Sequence, residues 1–351
     1  MSFEGATMNP DRSAIDAMAR LHHVYLLGLL LMISYRKGEE AVGEWMFRLF
    51  RRQHHDKFLS SFQKLGLDGL PDAVACAKYH VLANGIGGVP VEFMRESDRK
   101  AWVRFRYPRW WLDGPTLCGV PPSAGSGFMR GWYAHNGVSL GNPRLGFVCV
   151  SEDMTGEFGF CGYFREYDHD LTEDERLQYA KDERPPRFNP GDQPQPPPDQ
   201  WTEERLAKAN RNYAVEFVRN AVCELIGVIG EESTRELGGQ AARLIGLQYF
   251  PEMAKAVGVE DGNAGDGANL LKQLFAGMGD TSQIQVLDDG ERAVVESHSL
   301  RIVRGLEDVE HDVLLACWIE LWRGMLRSFR QMKRLNTSEG SAGLLWAIED
   351  E

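Results

Sequence analysis

Residues 71–107 read PDAVACAKYHVLANGIGGVPVEFMRESDRKAWVRFRY, and this stretch decides the fold. The first half has the composition and spacing of a short helix, 71–84, that stops at the Gly85-Ile86-Gly87 turn. The second half alternates apolar and polar side chains in two runs, Val91–Arg95 and Ala101–Tyr107, around Ser97-Asp98. That is a β-hairpin pattern. A helix leading through a glycine turn into a hairpin is an α+β signal. The dinucleotide fingerprint runs from strand to helix instead, so the glycine turn is not one.

The same layout recurs further along the chain. Shifted by 192 residues, Gly38-Glu39-Glu40 falls on Gly230-Glu231-Glu232, Arg51 on Arg243, Phe58 on Phe250 and Gly66 on Gly258. Gly85-Ile86-Gly87 falls on Gly277-Met278-Gly279. Each copy reads as a long helix (13–36, 203–228), a second helix (39–65, 231–257) and a short one (71–84, 266–276). A hairpin and another helix (124–140, 309–334) follow, with Trp132 and Trp318 at similar places. The first copy continues into strands Leu145–Ser151 and Glu157–Tyr167, whereas the second is expected to stop after Leu344–Ile348 without a full closing pair. The expectation is an α+β protein, an internally duplicated helical unit plus β-hairpin, with two halves packed as a pseudo-dimer. Residues 1–183 form the first repeat and 200–351 the second. Between them, 184–199 (RPPRFNPGDQPQPPPD) is too rich in proline for helix or central strand, and reads as a linker or a strap across the surface.

The chain of 351 residues has a net charge of −12. Residues 1–190 carry 23 basic and 24 acidic side chains, and 191–351 carry 16 and 27. This acidic balance argues against nucleic-acid and anionic-membrane partners. Six cysteines without C-x-x-C spacing argue against a zinc ribbon and fit free thiols in a reducing cytoplasm. The apolar run Val24–Ile33 is short for a membrane span, and no secretory leader is visible. No cofactor or metal motif occurs. The expected partner is a small-molecule substrate, and a homo-oligomer is compatible with the chain.

Candidate chemistry concentrates in the first copy. Cys76 and His80 stand four apart on one helix face, where an imidazole can take a thiol's proton. His135 lies in Trp132-Tyr133-Ala134-His135-Asn136 and is the candidate acid/base group, with Trp132 and Asn136 lining the same place. The second copy is read as placing Leu321 and Trp322 opposite His135 and Asn136. Arg104 and Arg106 share a strand face with Trp102. With Arg130, and with Arg109 and Arg144 nearby in sequence, they are candidate carboxylate anchors. Asp168-His169-Asp170 is a possible but poor metal ligand set beside an exposed helix start. The adjacent pairs His22-His23 and His54-His55 point to different helix sides and are expected at the surface.

The helix–Gly-x-Gly–hairpin run at 71–107 and 266–299, with the helix and strands at 124–167, resembles the L-2-amino-thiazoline-4-carboxylic acid hydrolase family. It is also similar to small-molecule-binding domains related to bacteriochlorophyll vinyl reductase. The first resemblance implies a hydrolase of C–N or C–S bonds acting on a small carboxylated molecule. The second implies a non-catalytic, sensory binding protein. Where the hydrolases close with a C-D-F motif, this chain has Gly159-Phe160-Cys161-Gly162-Tyr163.

Overall fold

The computed structural model describes residues 10–107, 113–155, 157–196, 201–341 and 343–351. The fold is α+β with two small sheets. The chain divides into two compact units, one holding residues 30–206 and the other combining 10–29 with 207–351. The opening helix, α1 (Pro10–Phe62), runs through what the sequence presents as two helices; Gly38 breaks its geometry at φ 84°. Its first twenty described residues thus belong with the C-terminal half of the chain and not with residues 30–206 that follow them.

The first unit is built on a five-stranded sheet. Its elements are α2 (Asp72–Ile86), β1 (Val91–Ser97), β2 (Lys100–Phe105), α3 (Pro122–Gly131), α4 (Asn136–Ser139), β3 (Leu145–Ser151), β4 (Cys161–Glu166) and β5 (Leu177–Tyr179). A turn of 3-10 helix, Tyr133–His135, joins α3 to α4, so the helix expected over 124–140 is in three pieces. The strands run β1-β2-β4-β3-β5, with β5 parallel to β3 and the other pairs antiparallel. Strand alternation splits the side chains cleanly. Phe147 and Phe164 pair on the face that meets Tyr133 and His80 of the helical layer. Met94, Trp102, Val148, Val150, Cys161 and Tyr163 form a buried cluster on the opposite face.

That second face is covered by a strap that begins at β5 and runs on into the proline-rich segment as far as Gln193. After β5 the chain lays Ala180 and Phe188 on the cluster. Glu183 accepts hydrogen bonds from Lys100 Nζ (3.0 Å) and the Tyr163 hydroxyl (2.8 Å). At the far edge the Gln193 amide donates to Phe93 O and accepts from Phe93 N, both at 2.9 Å. One segment therefore pairs the β3 edge with a strand and satisfies backbone groups of the β1 edge with a side chain. Both edges would otherwise present free amides and carbonyls.

The second unit contains α5 (Glu203–Ile229, from residue 207), α6 (Glu231–Val257), α7 (Ala264–Met278), β6 (Ser282–Leu287), β7 (Arg292–Ser297), α8 (Asp308–Arg327), β8 (Lys333–Glu339) and β9 (Leu344–Asp350). Its sheet is antiparallel in the order β6-β7-β9-β8. Two expectations are corrected here. The helix stops at Arg327, not 334, and the C-terminal unit does have a closing strand pair, β8 with β9. Lys333 and Arg334 are good helix formers by propensity, but Lys333, fully buried, pairs instead with Asp350 across the ladder at 2.8 Å.

Phe275, Trp318, Trp322 and Trp346 form the core of this unit, with ring centroids 5.0–5.9 Å apart. Residues 10–29 join this core by polar contacts. Tyr25 donates to Gly238 O at 3.0 Å. Trp318 Nε1–H donates to His22 Nε2 at 3.3 Å, which leaves the His22 Nδ1–H to donate to Met18 O at 2.8 Å. His22 is thereby held as a neutral ring, and burial lowers its pKa to about 4. His22, His23 and His54 are all buried, contrary to the surface placement expected for the paired histidines. Leu321 is fully buried in the same core. Leu321→Ala should cost about 2–5 kcal/mol, from lost transfer free energy plus a residual cavity. A urea titration followed by tryptophan fluorescence checks this; a loss below 1 kcal/mol would mean that the core closes over the gap.

Candidate functional site

The site follows from two glycines. Gly127 and Gly131 lie one turn apart on α3, and neither has room for a side chain. A Cβ at Gly127 would stand 2.4 Å from Gly43 O, and one at Gly131 2.6 Å from Phe47 O. Their absence lets α3 lie directly on α1. The Arg51 guanidinium spans the crossing, with Nε–H donating to Gly131 O at 3.0 Å and Nη2–H to Arg130 O at 3.1 Å. These are carbonyls left over at the end of α3, the place where a cation is favoured. The turn that follows sets His135 against α1, with Nε2 3.3 Å from His55 Nε2 and its ring 5.2 Å from that of His54. His54 is fixed in turn by Ser139 Oγ at 2.9 Å and by stacking on Phe58 at 4.4 Å.

A cavity of about 460 Å³ opens beside this cluster, lined among others by Phe47, Arg51, Arg130, His135, Arg176 and Tyr179. Glu173 and Asp174 stand at its exposed side. Among the described residues no carboxylate lies within ion-pair distance of Arg51, Arg130 or Arg176; Glu173 acts on Arg51 only at longer range. Phe47 lies under two of the guanidiniums, 5.1 Å from Arg51 Cζ and 4.8 Å from Arg130 Cζ. A ring face steadies a cation but does not neutralise it. Burial, and then the charge of Arg51, lower the His135 pKa to about 4. At neutral pH its imidazole is therefore uncharged.

The other sequence candidates lie away from this cavity. His80 lies sandwiched between Tyr133 (4.0 Å) and Phe164 (5.4 Å), fully buried, and burial lowers its pKa to about 3. Cys76 and His80 do not bond to each other. Each reaches Asn136, which donates to His80 Nε2 at 3.0 Å and hydrogen-bonds the Cys76 thiol. Burial pushes that thiol well up, away from the thiolate a nucleophile needs. Trp132 is buried against His54, its ring 5.4 Å away, with no acceptor for its indole N–H among the described residues. Arg104 and Arg106 are on the strap-covered side of the sheet with Glu92: Arg104 Nε–H bonds Glu92 at 2.6 Å, and Arg106 is 3.8 Å from it. Arg144 pairs with Glu166 at 3.4 Å. Arg109 lies outside the described residues. Arg130 and His135 are thus brought together, and Arg51, Arg176 and the two α1 histidines join them from elsewhere. The described residues contain no group of three potential ligands with metal-binding geometry, Asp168-His169-Asp170 included.

Comparisons with family models, curated proteins and solved structures return no match to this chain. One helix, residues 12–65, passes by length and composition for a membrane span, and 72% of its most apolar window is buried inside the protein.

Proposed function

We propose that the first unit binds a small carboxylated molecule in the cavity beside His135, and that the protein is a hydrolase with His135 as proton acceptor. The observation that carries this reading is a cavity lined by three arginines with no ion pair. Such a set is unfavourable when empty and is relieved by an anion. The resemblance to the thiazoline-carboxylate hydrolases supplies the reaction class. In that reaction His135 takes a proton from a water as its oxygen bonds to the electrophilic carbon. The breaking C–N or C–S bond leaves its electrons on nitrogen or sulfur, which receives the proton back. Arg51, Arg130 and Arg176 replace Arg104 and Arg106 as anchors. The second reading is a sensory binding protein, supported by the absence of an activated nucleophile at Cys76.

The internal duplication belongs to the same proposal. Its support is the pairing of contacts in the two units. Ser139 bonds the second helix at His54, and Ser328 bonds α6 at Leu247 O (2.9 Å). Phe47 meets Gly131, and Gly239 meets Glu320. These contacts favour an offset of 189 residues for the last helix, which sets His135 opposite Gly324 and Asn136 opposite Met325, not opposite Leu321 and Trp322. A reducing cytoplasmic setting, with all six cysteines free, completes the proposal.

A thermal-shift screen of small carboxylic acids and cyclic amides tests the reading. A carboxylate at one hundred times its Kd should add about 2.7 kcal/mol of stability. Arg51→Met should cut that gain to about 1.4 kcal/mol or less. His135→Ala should keep binding and lower turnover by about 10²–10⁴-fold. Binding without any turnover in the parent protein would leave the sensory reading in place, and no carboxylate response at all would remove both.

A further inference from the structure

The second unit has a groove of about 800 Å³ where α6 and α8 cross, and arginines stand on its walls as they do in the cavity of the first unit. Here the charge is closed from within. One Glu320 oxygen accepts from Arg243 Nε–H at 2.6 Å, and the other accepts from Arg323 Nη1–H at 2.5 Å. The Glu320 stem lies against Gly239, where a Cβ would come within 3.3 Å of Glu320 Cγ.

The first unit makes the same crossing with the sizes exchanged. Phe47, the counterpart of Gly239, is large, and Gly131, the counterpart of Glu320, is bare. Arg51 is the counterpart of Arg243. Arg130 stands on the last turn of α3, just ahead of the 3-10 turn that carries Ala134, the counterpart of Arg323. Gly131 has no space for a side chain, since a Cβ there would meet Phe47 O, Phe50 Cβ and Arg51 N at 2.6–3.1 Å. No carboxylate can reach this arginine pair from position 131.

We infer that the cavity of the first unit takes a ligand whose carboxylate bridges Arg51 and Arg130, one oxygen to each, as the Glu320 carboxylate bridges Arg243 and Arg323. The inference rests on the carboxylate-binding reading above and deepens it by naming the two residues and the mode of capture. A planar two-oxygen group matches one donor from each guanidinium, and a tetrahedral phosphate leaves charged oxygens over the Phe47 ring. Phe47, Ala134, Leu177 and Tyr179 give the rest of the ligand apolar wall to lie against, beside the polar groups of His135, Arg176, Glu173 and Asp174.

The probe is benzoate, with benzamide and inorganic phosphate as controls, followed by NMR titration and by melting temperature. The parent protein should bind one benzoate and no benzamide. Arg51→Met and Arg130→Met should each weaken it about tenfold or more, and Arg176→Met less than either. Glu320→Ala should open a second benzoate site in the other unit, lost again in Arg243→Met/Glu320→Ala, and benzoate should recover much of the melting temperature that Glu320→Ala loses. Glu320→Gln, which keeps the side chain's shape, serves if the alanine variant does not fold; it should melt lower than the parent without gaining the second site. Benzoate binding that survives Arg130→Met, a Glu320→Ala variant with a single site, or a preference for phosphate would overturn the inference while leaving anion binding intact. A parent protein blind to benzoate and to every other carboxylate would overturn the functional reading as well.

Discussion

Below about pH 6 the protein should lose stability steeply, with unfolding complete well above pH 4. His22, His23, His54 and His80 are buried and held neutral, with pKa values lowered by burial to about 4, 3, 2 and 3. In the unfolded chain each titrates near the usual 6.5. Above that pH neither state takes up the protons, and stability is at its full value. As the pH falls below 6.5 the unfolded chain binds protons that the folded chain refuses, and the loss continues until the folded values are reached. At pH 5.5 each ring costs about 1.4 kcal/mol, so the four together cost about 6 kcal/mol against a typical total of about 5–15 kcal/mol. Asp280 acts in the opposite direction, since burial raises its pKa to about 6, but it is one carboxyl against four rings. Melting temperature measured from pH 8 to pH 4 decides the matter. A flat profile between pH 7.5 and 5 would mean that these rings reach water.

Gly324→Ala and Gly246→Ala should each destabilise the second unit by about 3 kcal/mol or more, at the upper end of what overpacking costs. A Cβ at Gly324 would stand 2.0 Å from Arg243 O, and one at Gly246 2.0 Å from Leu321 O. Both obstacles are backbone carbonyls of the facing helix. No rotamer change relieves them, so α6 and α8 must move apart and loosen the tryptophan cluster behind. Gly85→Ala is the control, because nothing lies within 4 Å of its Cβ and its backbone is not left-handed. It should gain about 0.5–1 kcal/mol through helix propensity. Urea midpoints for the three variants give the comparison, and equal midpoints for Gly324→Ala and the parent protein would show that the crossing is not tight.

Much of the fold is legible in the sequence because its signals are local. The Ser97-Asp98 turn, the alternation on either side of it and the glycine stops at Gly66 and Gly258 each depend on neighbouring residues, and both glycines take the left-handed conformation that ends a helix. The strap is legible in its prolines, although what it covers is not. β8 was hidden because Lys-Arg-Leu after a long apolar helix continues the helical pattern, and only the ladder to β9 makes it a strand. The site was half visible. His135 and Arg130 belong to one aromatic-rich segment, whereas Arg51 and Arg176 come from parts of the chain far from it. Their meeting depends on the bare surface of Gly127 and Gly131. The paired histidines were misplaced because α1 is buried on more than one side, which a one-face reading of a helix cannot show.

The assignment of residues 10–29 to the C-terminal unit has a consequence for synthesis. His22 and its partner Trp318 are 296 residues apart. At about 5–20 residues per second a ribosome needs about 15–60 s to make that interval. For all of that time residues 10–29, the start of a long apolar helix, wait without the core that buries them. The start of α1 is therefore among the last parts of the molecule to find its place, although the rest of that helix folds with the first unit.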